Sequence, residues 1–204
     1  NATQLVLAHH MDDQVETILF RLARGTGVEG LAGIRPSRDL YPGCDVFRPL
    51  LHLTKDDLLE YCRVNDVPWM TDLSNFDTER HRSFIRHELV PGLVKTHPHA
   101  KKAIARLASL VSEDREVMDI LIADKVKELE YQEVPTGWLI SYNKFLALPK
   151  LLRNKIWSRL DKGPLTSRRL EIVNESIDTR TTRSLKAGWT ISHTEHFIVM
   201  EKGT

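Results

Sequence analysis

The hydrophobic pattern changes its period near the start of the chain. Leu5 to Ala8 form an unbroken apolar run, which is typical of a strand buried on both faces. Beyond Asp12 the pattern predicts an amphipathic helix, and a buried strand followed by a helix is the building unit of an α/β layer. The apolar positions that recur at helical spacing are Val15, Ile18, Leu19 and Leu22.

The predicted helix has chemical signals at both ends. Asp12 can cap its N-terminus. Arg21 and Arg24 suit the negative C-terminal end of the helix dipole, and Gly25 can terminate the helix. The helix is therefore predicted between Asp12 and Gly25.

Candidate chemistry lies where the strand meets the helix. His9 and His10 fall at the carboxyl end of the predicted strand, where open α/β sheets place their ligands. Asp12 and Asp13 lie four and three residues before Glu16, so these carboxylates can share a helix face. Like charges this close either raise one pKa or need a cation between them. A bound Mg²⁺ would reconcile them with substrate phosphates, while a zinc or dimetal hydrolase and a plain capped helix with solvated acids remain as alternatives.

Residues 25–47 are predicted to be a loop-rich connection, because glycine and proline recur along them. Residues 25–30 match G-x-G-x-x-G, but the motif follows a helix instead of a strand, which argues against a dinucleotide fingerprint. Its glycines can still present backbone N–H groups to phosphate. Val46 and Phe47 then lead into the end of a strand.

A second helix and an edge strand are predicted next. Thr54 and Asp57 form a capping-box-like start for a helix that reaches about Asn65. Residues 67–70 are predicted to be a short edge strand with Trp69 in the core. This order extends the α/β layer. The residues that the helix is expected to bury are Leu58, Leu59 and Cys62.

A basic helix is predicted after turn chemistry at residues 71–75. Arg82 and Arg86 are four residues apart, so both guanidinium groups can project from one face and clamp phosphate oxygens. A solvated helix face is the competing interpretation. Pro91–Gly92 and His97–Pro98 bracket an expected hinge.

The second half is predicted to be mainly helical. Apolar residues recur at helical spacing from about Pro98 to Tyr131, which predicts one long helix or several shorter ones. The elements expected beyond it are a short strand at 138–140, a short helix from Asn143 to Leu148, helices opened by Pro149 and by Thr166, and a hairpin pairing residues 189–191 with 197–199.

Composition adds a few constraints. The chain has 204 residues and a formal net charge of +1, so any nucleic-acid surface must be a local patch. Cys44 and Cys62 lack C-x-x-C spacing and indicate a reduced, intracellular protein. No apolar run approaches membrane-spanning length, so we expect no membrane segment and a cytoplasmic location.

One stretch has a local excess of positive charge. Between Arg153 and Lys186 there are nine basic and four acidic residues. Such an excess suits the phosphate backbone of RNA, and a merely soluble helical surface is the alternative.

Several motifs together resemble those of the tRNA(Ile)-lysidine synthetases, which are N-type ATP pyrophosphatases of the PP-loop superfamily. Spacing and order agree over roughly the first hundred residues. The stretches that carry the resemblance are His9-His10-Met11-Asp12-Asp13-Gln14-Val15-Glu16-Thr17, residues 24–33, Arg48-Pro49-Leu50-Leu51, residues 69–75, and residues 82–86 with Pro91.

The resemblance implies a Rossmann-like α/β domain and a two-step reaction. ATP adenylates a carbonyl oxygen of a cytosine in the anticodon loop of tRNA(Ile), with release of pyrophosphate, and the ε-amine of free lysine then displaces AMP. ATP and Mg²⁺ are the implied cofactors, tRNA(Ile) and L-lysine are the implied partners, and a homodimer is compatible with this reading. Residues 1–93 would be the C-terminal part of the ATP-binding PP-loop domain. Residues 94–204 would be a mainly helical tRNA-binding domain with a terminal β-hairpin.

The resemblance also implies roles for single residues. His9, Asp13 and Glu16 are expected to provide the catalytic electrostatics, with Mg²⁺ on Asp13 or Glu16 and with His9 as a base for the attacking lysine. His10 and Asp12 are expected to be structural. The residues expected to contact ATP or tRNA are Arg24, Gly25, Gly27, Arg82 and Arg86.

Two departures from the family pattern qualify these expectations. The family's nucleotide loop, Ser-Gly-Gly-x-Asp-Ser, lies upstream of the histidine pair and does not occur here, so we expect a fragment that has little or no activity alone. Ser83 stands where asparagine is usual, which removes an amide's paired donor and acceptor. Two rival functions stay open: a tRNA thiolation enzyme of the same superfamily, against which the cysteine spacing argues, and a non-catalytic RNA-binding remnant.

Overall fold

The computed structural model describes residues 2–70, 80–161 and 166–203. Within it the chain forms two compact units, Asn1–Glu116 and Val117–Thr204. The functional division at residues 93 and 94 stays a prediction.

The first unit is a small sheet with helices, which confirms the mixed α/β class. The elements in chain order are β1 (Gln4–Val6), α1 (Met11–Arg24), a 3₁₀ helix (Val28–Ala32), β2 (Ser37–Tyr41), β3 (Cys44–Phe47), α2 (Lys55–Val64), α3 (Arg80–Phe84), a π-helical turn (Ile85–Leu89), α4 (Val90–Thr96) and α5 (Ala100–Glu128), whose last part belongs to the second unit. β1 and β3 pair in parallel, and β2 pairs antiparallel on the other side of β3.

The first strand is exposed, and the expectation of burial on both faces was wrong. β1 covers Gln4–Val6, with Leu5 43% and Val6 58% exposed. Within the described residues β1 pairs only with β3, so its apolar run lies at a sheet edge.

Helix α1 has the predicted apolar stripe and the predicted end, but a different beginning. Val15 and Ile18 are buried, whereas Leu22 is exposed. Gly25 ends the helix with a positive φ. His10, and not Asp12, is the N-cap residue, so the helix starts at Met11, two residues earlier than a cap at Asp12 would place it.

The segment at residues 25–47 is more regular than predicted. It contains the 3₁₀ helix and strand β2, which joins β3 through a turn at Pro42–Gly43. All five residues of β2 are exposed, so the strand has no alternation of apolar and polar residues that the sequence could reveal.

The predicted second helix is confirmed, whereas the prediction of an edge strand after it is wrong. Thr54 and Asp57 form the capping box of α2, and Leu58, Leu59 and Cys62 are half-buried on it. Residues 67–70 have no regular secondary structure and pair with no described strand, and Trp69 is 49% exposed. The turn predicted at residues 71–75 lies outside the described residues.

Helix α4 (Val90–Thr96) occupies most of the segment between Pro91–Gly92 and His97–Pro98, where a hinge was expected. α3, the π-helical turn and α4 follow one another without a break between Arg80 and Thr96. Pro91 lies in the first turn of α4, directly after the π-helical turn. The helical path does end at His97, before Pro98, and the long helix α5 follows.

The second unit surrounds a five-stranded sheet, which is more extensive than the predicted hairpin. The elements of this unit after α5 are, in chain order, β4 (Gln132–Val134), β5 (Gly137–Ser141), α6 (Tyr142–Leu146), α7 (Lys150–Leu160), α8 (Ser167–Thr179), β6 (Arg183–Leu185), a 3₁₀ turn (Lys186–Gly188), β7 (Trp189–His193) and β8 (Phe197–Lys202). The order of the strands is β4-β5-β8-β7-β6, and every pair is antiparallel. The predicted β5 and the β7–β8 hairpin are confirmed, while β4 and β6 were missed because each has only three residues.

Aromatic residues dominate the core of this second unit. Trp138, Trp157 and Phe145 are almost completely buried, and their rings meet edge to face at centroid distances of 5.1 and 6.4 Å. Ile140 and Ile198 lie opposite each other on β5 and β8 within the same core. Among the described helices of the whole chain, none is both long enough and apolar enough to cross a membrane.

Candidate active site

The candidate site lies at one edge of the three-stranded sheet. Because β1 and β3 are parallel, their carboxyl ends meet at this edge, and His9 and Arg48 follow those two ends in the chain. A cavity of ≈550 Å³ opens there, which is a volume typical of small-molecule sites. Its polar and charged lining residues are His9, Asp13, Glu16, Thr17, Arg21, Glu29, Arg35, Arg38, Arg48, Arg82, Arg86 and Arg115.

Two of the predicted site residues, Glu16 and Arg86, form an ion pair. Arg86 donates from Nε to Glu16 Oε1 at 2.7 Å and from Nη2 to Oε2 at 2.9 Å. Glu16 is only 8% exposed, so this bidentate contact satisfies a nearly buried carboxylate. The hydrogen bond to Glu16 also raises the pKa of Arg86, against the opposite effect of burial.

Asp12 is not among the lining residues of this cavity, and its carboxylate contacts two other helices. Its carboxylate accepts from the backbone N–H of Lys55 at 2.8 Å, at the start of α2, and pairs with Lys101 on α5 at 2.5 Å. Burial alone would raise the pKa of Asp12, but the hydrogen bonds from Lys101 and Lys55 and the charges of Lys101 and His10 outweigh it, so the pKa is lowered. These contacts agree with the structural role expected for Asp12.

His9 is held through one ring nitrogen. Arg48 donates from Nε to His9 Nδ1 at 3.2 Å and from Nη1 to the carbonyl oxygen of Arg35 at 2.9 Å. Arg48 is 8% exposed; burial, followed by the neighbouring charge of Arg38, lowers its pKa. Arg48 thus connects the histidine motif to the loop that precedes β2.

Two residues of α1 that the sequence analysis did not select for the site, Gln14 and Arg21, shape the wall of the cavity. Gln14 is buried; its Oε1 accepts from the N–H of Ile34, and its Nε2 donates to the carbonyl oxygens of Ala32 and Ile34, both at 3.3 Å. Arg21 donates to the carbonyl oxygens of Gly30 and Gly33, at 2.8 and 3.0 Å. Both side chains therefore fix the 3₁₀ segment beside the cavity.

Arginine side chains meet an aromatic ring on α1. The guanidinium carbons of Arg24 and Arg82 lie 5.2 and 5.6 Å from the centroid of the Phe20 ring, within cation–π range. Arg82 lines the cavity, whereas Arg24, Gly25 and Gly27 do not. The structure thus brings five of the predicted site residues to one cavity: His9, Asp13, Glu16, Arg82 and Arg86.

The charge of the cavity wall was not evident from the sequence. Among the described residues, seven arginines and three carboxylates line it. The arginines come from α1, the segment around β2 and β3, the helices after residue 80, and α5, so no local pattern announces them. The arginines that the sequence analysis did not select are Arg21, Arg35, Arg38, Arg48 and Arg115.

The described side chains do not form a resident metal site. Within residues 2–70, 80–161 and 166–203, no group of three or more His, Cys, Asp and Glu side chains is placed to hold a metal ion. Both oxygens of Glu16 accept from Arg86, and Asp13 Oδ2 accepts from the backbone N–H of His10 at 2.9 Å. A metal on Asp13 or Glu16 stays a prediction, and Glu16 would have to exchange Arg86 for it.

The basic stretch of the second unit is partly neutralised within the chain. Arg169 forms a bidentate pair with the buried Asp161, at 2.6 and 2.9 Å. Arg180 stacks on the ring of Tyr142, 4.1 Å from its centroid. Arg153 and Arg183 each pair with a carboxylate at 3.4 Å, from Asp178 and Glu175 respectively. These pairs engage three of the four acidic residues of the stretch, so its excess of basic over acidic residues is unchanged, while Arg153, Arg169 and Arg183 each have a partner within the chain.

Residues 1–93 match the family model of the PP-loop domain. The chain is also 40% identical over 154 residues to the tRNA(Ile)-lysidine synthase of Bacillus licheniformis, an alignment that covers 76% of this chain and 32% of that protein. It is 39% identical over 122 residues to the synthase of Nitrosomonas europaea, covering 59% and 27%. With the synthase of Thermotoga maritima the identity is 29% over 198 residues, covering 93% and 47%.

These matches confirm the resemblance to the tRNA(Ile)-lysidine synthases that was found in the motifs of the chain. The chain spans between about a quarter and a half of the length of these relatives.

Proposed function

We propose that this chain provides the anion-binding and catalytic edge of a PP-loop ligase that joins lysine to a cytidine in the anticodon loop of tRNA(Ile), using ATP. The observation that supports the proposal most strongly is the arginine-lined cavity at the carboxyl edge of β1 and β3, with His9, Asp13 and Glu16 of the motif in its wall. The α/β layer would be the C-terminal part of a Rossmann-like domain. A tRNA-modifying role is also compatible with the predicted location of the protein in the cytoplasm.

The first step asks the site to bind and stabilise phosphate charge. Departure of pyrophosphate from ATP develops negative charge, which preorganised cations stabilise in a partly enclosed site. Arg82 and Arg86 line the cavity and are assigned this contact. Asp13 is the better carboxylate for a magnesium ion that arrives with the nucleotide, because the oxygens of Glu16 are already engaged.

Glu16 has a supporting task in this proposal. Its carboxylate holds Arg86 through two hydrogen bonds, so it orients the guanidinium group of that residue towards one fixed position. We therefore assign Glu16 as a positioning residue for Arg86, in place of a direct metal ligand.

The RNA is assigned to the rim of the cavity. Arg24 and Arg82 both lie against Phe20, at the end of α1 that precedes Gly25 and Gly27. Guanidinium planes and aromatic rings are the surfaces on which single-stranded bases stack, while the same arginines attract phosphates. A splayed anticodon loop would thus meet a platform beside the phosphate site.

The test is incorporation of radiolabelled lysine into tRNA(Ile) by the product of the complete reading frame that contains this chain, with ATP and Mg²⁺. We expect labelled tRNA and release of pyrophosphate from the wild type. Arg82→Ala should lower kcat/KM by about tenfold to a hundredfold, which corresponds to loss of one charged contact.

A matched control separates this effect from a general loss of positive charge. Arg106→Ala removes an exposed arginine of α5 that does not line the cavity, and it should retain activity within about twofold. Binding of tRNA without lysine transfer would favour the RNA-binding remnant, and sulfur transfer to tRNA would favour the thiolation enzyme. Either result overturns the proposal.

A further inference from the structure

We propose that Arg48 is a positioning residue that fixes the tautomer of His9, so that His9 serves the cavity as a hydrogen-bond donor through Nε2–H and not as a base. The role of this donor in the reaction rests on the proposed function. The tautomer itself does not.

The hydrogen bond between the two side chains determines where the ring proton lies. Arg48 Nε donates to His9 Nδ1 at 3.2 Å. A guanidinium group has five donors and no acceptor, and it keeps its proton in proteins. The Nδ1 atom must therefore supply a lone pair, and the single proton of a neutral imidazole is on Nε2.

Two further hydrogen bonds and burial keep Arg48 in place for this task. Its Nη1 donates to the carbonyl oxygen of Arg35 at 2.9 Å, its backbone N–H donates to the carbonyl oxygen of Pro36 at 2.8 Å, and the residue is only 8% exposed. Arg48 also directly follows β3, while His9 follows the parallel strand β1. The ends of two neighbouring strands thus hold the donor and the acceptor close to each other.

The chemical consequence concerns what His9 can do for a ligand. A proton taken up at Nδ1 is incompatible with the hydrogen bond from Arg48, and Nε2 already carries a proton. The ring is therefore suited to donate one hydrogen bond from Nε2 to a phosphate or carbonyl oxygen in the arginine-lined cavity. This assignment replaces the expectation that His9 accepts the proton of the attacking lysine.

The test is a long-range ¹H–¹⁵N correlation spectrum of the uniformly ¹⁵N-labelled chain, recorded without nucleotide or RNA at a pH of about 8, where an ordinary histidine is neutral. The His9 signals are assigned by their loss in His9→Gln. We expect one pattern, with a bare Nδ1 and a protonated Nε2. A protonated Nδ1, or an average of both tautomers, would overturn the proposal without the need for any further variant.

Two arginine variants then identify what fixes the ring. Arg48→Met keeps a long side chain but no donor, and the Nδ1 resonance of His9 should move towards that of a free imidazole with mixed tautomers. Arg38→Met removes the same charge from the same cavity and should leave the His9 pattern unchanged. An unchanged His9 in folded Arg48→Met, judged by its backbone amide spectrum, contradicts the proposal. Because no substrate is present, this outcome is independent of whether lysine is transferred.

Discussion

At the scale of single residues, charged side chains of the site are held in position by ion pairs with other charged side chains. Glu16 is a nearly buried carboxylate, and a carboxylate in that position is stable only if it is paired or hydrogen-bonded. Arg86 fulfils both requirements, and its remaining surface faces the cavity that Glu16 also lines. The pair therefore joins stability of the fold to the geometry of the site.

Arg86→Met should destabilise the first unit by about 2 kcal/mol, because it leaves the Glu16 carboxylate buried without its two donors. Urea unfolding at neutral pH measures the loss. The double variant with Glu16→Gln should be more stable than the sum of the single losses predicts. Arg63→Met is the control, since its partner Glu60 lies in an exposed pair and the change should stay within about 0.5 kcal/mol. An equal loss of free energy of unfolding in Arg86→Met and Arg63→Met would show that the buried pair stabilises the fold no more than the exposed pair does.

Asp12 should make the stability of the chain depend on pH in the acid range. Its pKa is lowered in the folded state, so its stabilisation is complete above the unfolded value of about 3.9 and is lost as the pH falls through the folded value. Asp12→Asn should therefore be less stable than the wild type at pH 7, and the difference should shrink towards pH 3. Urea unfolding across this range measures it. A difference that stays constant down to pH 3 would contradict the assignment.

At the scale of elements, the sequence predicted those whose signal is local. The apolar stripe and glycine end of α1, the capping box of α2, the start of α8 at Thr166 and the hairpin of β7 and β8 are confirmed. Each of these depends on residues within one turn or one strand. Strand β2 and the exposure of β1 and Trp69 were missed, because partners distant in sequence decide them.

The candidate site shows the same division between local and distant information. The motif residues His9, Asp13 and Glu16 were found because they lie close together in the sequence. The hydrogen bond from Arg48 to His9 spans 39 positions and the pair of Arg86 with Glu16 spans 70, so spacing alone does not reveal either contact. Gln14 looked like an ordinary helical residue, although its side chain holds the loop at Ala32 and Ile34.

Gly137 on β5 should not tolerate a side chain. A Cβ atom there would lie 1.7 Å from the carbonyl oxygen of Met200 on β8, and neither strand backbone can yield without breaking the pairing. Gly137→Ala should lower the free energy of unfolding of the second unit by about 2–3 kcal/mol. The fluorescence of the buried Trp138 and Trp157 reports this unfolding. Gly203→Ala, where the nearest atom is at an ordinary 3.4 Å, should change stability much less; equal effects of both substitutions would refute the argument.

At the scale of the whole molecule, an almost neutral chain has a strongly uneven charge distribution. The formal net charge is +1, yet in the part of the chain that the structure describes seven arginines and three carboxylates surround one cavity. In the second unit, by contrast, several arginines are paired within the chain. Repulsion among the cavity arginines disfavours folding, and any polyanion that binds the folded state alone relieves it.

Tripolyphosphate, used as a simple polyanion, should therefore raise the thermal midpoint of unfolding. Binding to the folded state alone stabilises by about 2.7 kcal/mol at a hundred times the dissociation constant. Sodium chloride at the same ionic strength should not reproduce the rise, because it screens charges without bridging several arginines. Arg82→Ala should reduce the rise, whereas Arg106→Ala, outside the cavity, should keep it. An equal rise with sodium chloride, or an equal reduction in both variants, would mean that the arginine cluster is not a polyanion site and would remove the main support for phosphate binding at this edge of the sheet.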